Sequence, residues 1–188
     1  YAINSSPGVN QWNYTIGTTL KKLIQNGYWN LSLSRNTLYN QADKFTDNQN
    51  KTEETRTYKI RSTETENKLR FDLVKKINNI SLSYGLVSQQ IHFSNEFSQI
   101  FRPAITDAGG GTIQNAVYFS SSTTLDFIRY GAYAQLGARF FDNRLGLSAG
   151  VRTDANNLKN SESNPLKQLS PRASLTFAIS NKLNFSSS

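Results

Sequence analysis

From Ile128 onward the chain alternates, residue by residue, between apolar side chains and small or polar ones, in runs separated by turn-forming residues. Leu145, Leu147, Ala149 and Val151 are interleaved with Gly146, Ser148, Gly150 and Arg152. Ala173, Leu175, Phe177 and Ile179 are interleaved with Arg172, Ser174, Thr176 and Ala178. A period of two marks a β-strand with one apolar face and one open or polar face. That apolar face has to be covered by a packed core or by lipid, and which of the two covers it decides what the chain can do.

The same rhythm recurs upstream, which predicts about eight strands and no helix. The first runs from about Gln11 to Lys22, with Trp12, Tyr14, Ile16, Thr18 and Leu20 on one face. Gln25-Asn26-Gly27 follows, and Asn-Gly is a strong hairpin signal. The second strand sets Trp29, Leu31 and Leu33 against Asn30, Ser32 and Ser34. The third sets Leu69, Phe71 and Leu73 against Lys68, Arg70 and Asp72. Asn78-Asn79 turns it into a fourth, with Ile80, Leu82, Tyr84 and Leu86 on its apolar side. The fifth runs from Ile128 to Phe140, Asp142-Asn143 leads to the sixth, and Ser180-Asn181 joins the seventh to an eighth beginning at Lys182.

Between these strands the connections alternate strictly between short and long. Long polar stretches are expected at about Gln41–Thr57, Ser98–Thr123 and Asn156–Gln168, the second holding Pro103 and Gly109-Gly110-Gly111. Tight turns at one end and long loops at the other are the habit of outer-membrane barrels. Sandwiches use Greek-key crossings with loops at both ends. If the short turns are periplasmic, the first, third, fifth and seventh strands run inward. Tyr28, Trp29, Tyr39, Phe140 and Phe141 fall near strand ends, where interfacial aromatic girdles lie. The fold class expected is all-β, an antiparallel up-and-down transmembrane β-barrel segment of about eight strands.

The chain has 188 residues with 37% hydrophobic content, and no apolar run approaches the ~18 residues of a membrane-spanning helix. Barrel strands give no such run, because their two faces cancel in any window. There is no methionine, and the chain opens Tyr1-Ala2-Ile3. It is read as one segment, residues 1–188, cut at both ends from a longer protein. The net charge of +8 comes from scattered basic residues, many beside short turns: Lys21, Lys22, Lys75, Lys76, Arg139, Arg144 and Lys182. Nucleic-acid binders gather such residues into a patch, so no nucleic-acid partner is expected. Anionic lipid head groups and ordinary solubilising charge both account for the placement.

Little in the chain argues for catalysis. His92 is the single histidine, and no carboxylate partner or nucleophile elbow stands near it in sequence. One histidine and no cysteine leave no transition-metal constellation. Gly109-Gly110-Gly111-Thr112 lacks the Gly-Lys of a phosphate-binding loop and reads as a loop tip. Glu53, Glu54, Glu64 and Glu66 read as a solvated loop. The Asn-x-Ser/Thr sites at Asn13, Asn30 and Asn184 fall inside strands. No cofactor is expected.

One constellation remains. Arg152 lies eight residues past Arg144, and Arg172 eight residues before Ser180, on neighbouring strands with both side chains away from the apolar face. At ~3.3 Å per residue both sit ~26 Å from the short-turn side. Asp154 shares the parity of Arg152 and could pair with either arginine. The three are candidates for contact with a ligand or a plug in a barrel lumen; the alternative is an ion pair lining the wall.

At these same residues the chain resembles a known family. Tyr130-Gly131-Ala132-Tyr133-Ala134-Gln135 is similar to the Tyr-x-x-Tyr-x-Gln strand of TonB-dependent outer-membrane receptors. Leu145-Gly146-Leu147-Ser148-Ala149-Gly150-Val151-Arg152 resembles the strand that follows it there, and Leu169-Ser170-Pro171-Arg172 the Ser-Pro-Arg opening of the next. The motifs keep their order across Ile128 to Phe185. Thr153 stands where the family often has an aromatic, and Leu136-Gly137-Ala138 replaces a more polar stretch.

The resemblance implies a large barrel enclosing a plug, importing a siderophore, cobalamin or glycan when TonB pulls on an N-terminal region that this chain lacks. The plug domain is expected to lie outside this segment, outer-membrane lipid is an expected partner, and a surface lipoprotein is left open as a further one. The lack of cysteine and the abundance of Asn and Ser are compatible with a Bacteroidetes-like member. The rivals are a soluble β-sandwich or adhesin-like binding module, and a small barrel enzyme that would need Ser, His and Asp at one rim.

Overall fold

The computed structural model describes residues 6–158, 163–180 and 183–187. Their strands are β1 (Gly8–Ile24), β2 (Gly27–Phe45), β3 (Arg56–Ile77), β4 (Ile80–Arg102), β5 (Ile105–Thr106), β6 (Thr112–Gln114), β7 (Val117–Phe140), β8 (Leu145–Asn156), β9 (Ser170–Ser180) and β10 (Leu183–Ser187). A 3-10 turn, Pro165–Gln168, precedes β9, with the Asn164 side chain accepting from the Leu166 N–H. Eight strands form one antiparallel sheet in the order β1-β2-β3-β4-β7-β8-β9-β10, each beside its neighbour in sequence. This is the expected up-and-down segment. The sheet is open, and β5 and β6 pair only with each other.

The short turns use residues that tolerate positive φ. Asn26 (φ 61°) and Asn78 (φ 51°) each supply one such position, where a short polar side chain carries the least steric penalty. After β7 the chain bends through Phe141, Asp142 and Asn143, all at positive φ, and the Arg144 N–H bonds back to the Phe141 carbonyl at 3.0 Å. Asn181, expected in the last turn, and Lys182, expected to open the eighth strand, lie outside the described residues.

The chain divides into two compact units. The turn unit comprises Ile16–Arg35, Asn67–Ile91 and Phe127–Ser188. It takes residues 16–24 of β1, 27–35 of β2, 67–77 of β3, 80–91 of β4 and 127–140 of β7, together with β8 and β9 of 12 and 11 residues. Each stretch is close to the ~9–11 residues that a tilted strand needs to cross a bilayer.

The register gives this unit two kinds of row. Ala138, Leu147 and Leu175 stand side by side on β7, β8 and β9, as do Leu136, Ala149 and Ala173. The intervening rows hold Gly137, Ser148 and Ser174, then Gln135, Gly150 and Arg172. The apolar rows meet no second layer of protein among the described residues. Leu33, Leu86 and Leu136 are 55%, 60% and 48% exposed, and Ile16 is 67% exposed.

The loop unit comprises Tyr1–Thr15, Asn36–Glu66 and His92–Asp126. Its strands are held by polar cross-strand pairs: Gln11 to Asn40 at 2.8 Å, Thr15 to Asn36 at 3.1 Å, Ser98 to Ser120 at 3.1 Å, and Thr37 to Thr65 at 3.2 Å. Such pairs are the unit of sheet stabilisation when neither face is apolar. Aromatic rings add to them, with Trp12 stacked on Tyr39 at 5.6 Å and Tyr58 edge-on to Phe97 at 5.6 Å.

This unit corrects the expected strand lengths. Gln41–Thr57 is not a continuous loop, since β2 runs to Phe45 and β3 begins at Arg56. Glu64 and Glu66 belong to β3, and the Ser98–Thr123 segment shrinks to residues 103–116, which fold back as the β5–β6 hairpin. Backbone ladders persist here through stretches such as residues 61–66 and 120–124 that carry no apolar alternation. Where both faces of a strand are polar, hydrophobic periodicity has nothing to report.

Candidate functional site

The chemistry of the turn unit gathers on the face opposite its apolar rows. On β8, Arg152 donates Nε to Asp154 Oδ2 at 2.6 Å and Nη2 to Oδ1 at 3.0 Å, a fork between residues two apart on one strand face. Asp154 thus pairs with Arg152, and Arg172 stands opposite Gly150 one row away. The Arg172 side chain makes no hydrogen bond or ion pair among the described residues. The three expected site residues therefore share one face, with two engaged and one open.

Three further residues, none of them a site candidate from the sequence, complete the group. Arg70 Nε donates to Asp72 at 2.8 and 3.0 Å, again between positions two apart. Tyr133, from β7, donates its hydroxyl to Asp72 Oδ1 at 2.7 Å, although β4 lies between β7 and β3. Gly85 makes that reach possible. A Cβ there would collide with the Tyr133 ring and come within 2.8 Å of Asp72 Oδ1. The tyrosine covers the bare backbone of the glycine, a known device for rescuing glycine within a sheet. The sequence carried one usable sign of this group. Arg70-Phe71-Asp72 and Arg152-Thr153-Asp154 repeat the same Arg-x-Asp spacing on the polar parity of their strands.

The loop unit offers different chemistry. His92, expected to lack a carboxylate partner, sits 2.7 Å from Asp126 Oδ1 across the β4–β7 ladder. That partner is far away in sequence and comes near only through strand pairing. Asp43 is flanked by Arg56 Nε at 3.2 Å and Arg61 Nη2 at 3.6 Å, ion pairs without hydrogen-bond alignment, and Gln41 donates to it at 2.6 Å. Lys59 pairs with Glu96 at 2.5 Å. A depression of about 730 Å³ beside that pair mixes Glu53, Glu54 and Glu96 with Arg56 and Lys59, so its charges largely cancel. In the glycine-rich loop, Asp107 Oδ1 accepts from the Gly109 and Gly111 N–H groups at 2.9 and 2.7 Å. That is a self-contained turn.

Among the described residues no group of three or more His, Cys, Asp and Glu side chains is arranged to hold a metal ion. No helix is long and apolar enough to cross a membrane, which says nothing of crossing by strands.

An open antiparallel meander with an uncovered apolar face and a charged opposite face is wall material of a transmembrane β-barrel. The family model for the TonB dependent receptor-like β-barrel matches residues 1–188, and the chain belongs to that family. The match extends well upstream of Ile128, where the strand motifs begin. No curated protein matches the chain. The family is one of receptors and transporters, not of enzymes, and is characteristic of the bacterial outer membrane.

Proposed function

We propose that this chain forms a stretch of the wall of an outer-membrane receptor that imports a scarce nutrient by energy-coupled transport. Transport would be driven by TonB acting on a region outside this chain. The observation that carries the reading is the turn unit's apolar face. It is uncovered, and the strand segments behind it have the length that a hydrocarbon layer requires. A soluble β-sandwich would have to lay a second sheet on those rows, and Leu33, Leu86 and Leu136 would then be buried.

The opposite face would line the interior past which the nutrient moves. Arg152, Asp154 and Arg172 stand there with Arg70 and Asp72, compatible with a small polar solute or an oligosaccharide as cargo. Outer-membrane lipid would cover the apolar rows, and a surface lipoprotein would act at the loop side if the receptor has one.

The test is outer-membrane fractionation of the native protein, followed by gel mobility with and without boiling, probed with an antibody to this segment. A band in the outer membrane that shifts on heating is expected. A soluble band near 21 kDa with no shift would mean that the apolar rows pack on protein, and the reading would fall.

A further inference from the structure

The polar face of the turn unit contains a depression of about 440 Å³ whose lining is one-sided in charge. Arg70, Arg152 and Arg172 contribute to it, with Tyr133, Gln135 and Ser174, and no carboxylate lines it. The two nearest acids are already committed. Asp72 holds Arg70 by Nε, and Asp154 holds Arg152 by Nε and Nη2. Those contacts orient both guanidinium planes, with Arg70 also beside the Tyr133 hydroxyl, and they leave Nη1 of Arg152 without a protein partner among the described residues. Both side chains remain about half exposed, at 52% and 58%. The Arg172 side chain has no hydrogen-bond or ion-pair partner among the described residues, and the residue opposite it in the ladder is Gly150.

Three guanidinium groups around one concavity repel one another, and water screens that repulsion less well in a protein-walled hollow than in bulk. A planar fork of N–H donors matches the oxygens of a carboxylate or a phosphate, and hydroxyl and amide groups beside it can complete the shell. The loop unit's depression lacks this bias, since acids and bases alternate around it.

We propose that the Arg70–Arg152–Arg172 depression is an oxyanion site, taking a carboxylate or phosphate group with Arg172 and Arg152 as its direct donors. Arg70 and Tyr133 act as positioning residues that set the shape of the wall. The anion comes either from a free multiply charged solute reaching this face or from an acidic side chain of polypeptide packed against it. The inference rests on the reading of this face as the interior of a barrel.

The test is arginine labelling by phenylglyoxal on the whole receptor containing this chain, in detergent micelles, with modification at Arg172 mapped by mass spectrometry. Labelling is compared at low ionic strength, with added citrate or inorganic phosphate, and in molar salt. If a free solute is the source, citrate or phosphate slows labelling of Arg172 roughly tenfold, the equivalent of one charge-assisted hydrogen bond. Arg152→Gln then loses most of that protection while the boiling shift on the gel stays intact.

If an internal acidic side chain is the source, Arg172 is protected without additives and becomes reactive in molar salt. Labelling at one rate under all conditions, or no labelling under any, overturns the proposal. The gel separates the two levels of failure. A receptor that shifts on boiling but whose Arg172 ignores anions loses only this inference, whereas one that does not shift loses the barrel reading as well.

Discussion

The turn unit and the loop unit share β1, β2, β3, β4 and β7, yet they are stabilised by different physics. In the turn unit one face is apolar and uncovered, with Leu147 flanked by Ala138 and Leu175. Such rows are stable only in a solvent without water, where strands survive because every backbone group is paired. In the loop unit the strands carry hydroxyl and amide pairs such as Thr15–Asn36 and Ser98–Ser120, which suit water on both faces. The comparison shows that strand continuity and membrane contact are separate properties. The ladder sets the first, and the side-chain pattern sets the second.

The sharpest way to break this contrast is to put the same charge in each unit. Val151→Lys, midway along the apolar face of β8, should cost about 2–4 kcal/mol of folding free energy in a bilayer, the penalty for a cation on a lipid face near mid-depth. Ser122→Lys, on an exposed stretch of β7 in the loop unit, should stay within about 0.5 kcal/mol. Urea titration of the receptor folded into liposomes measures both. Equal costs would refute the assignment of lipid to one unit only.

The next effect belongs to the turn unit's polar face. Gly85→Val places atoms where the Tyr133 ring lies and within 2.9 Å of the Phe71 carbonyl. Tyr133 must then swing away and lose its bond to Asp72, at a cost of about 1–3 kcal/mol. A lower temperature for the boiling shift would report it, and an unchanged temperature would show that the tyrosine is not held there.

A smaller effect tests how the loop unit is held. Thr37 and Thr65 are buried at 5% and 8% exposure with their hydroxyls 3.2 Å apart. Thr37→Val leaves one buried hydroxyl unpaired, at about 1 kcal/mol, and adding Thr65→Val should recover most of that loss. A double-mutant cycle in which the two costs simply add would show that the pair does not interact. The smallest change is His92→Ala. An exposed pair such as His92–Asp126 contributes ~0–1 kcal/mol, so the unfolding midpoint should barely move.

Much of this was legible before any coordinates. The eight strands of the main sheet, their order and the parity that puts Arg152, Asp154 and Arg172 on one face all follow from period-two alternation and turn residues. The true lengths of β2, β3, β4 and β7 did not follow, because Gln41, Glu64, Ser98 and Ser120 sit in strand stretches without an apolar face. Nor did the Tyr133–Asp72 bond. It spans an intervening strand and depends on Gly85 having no side chain, a relation among three strands that no local window contains.

By itself, then, the sequence determined which residues alternate, where the chain turns, and therefore that an apolar face exists and must be covered. These are local properties, written within a few residues of one another. Only the tertiary structure decided that no protein layer covers that face among the described residues, that His92 finds Asp126, and that Arg70, Arg152 and Arg172 converge on one hollow not lined by an acid. Those facts depend on which strands become neighbours and in what register, and such pairing joins residues dozens of positions apart.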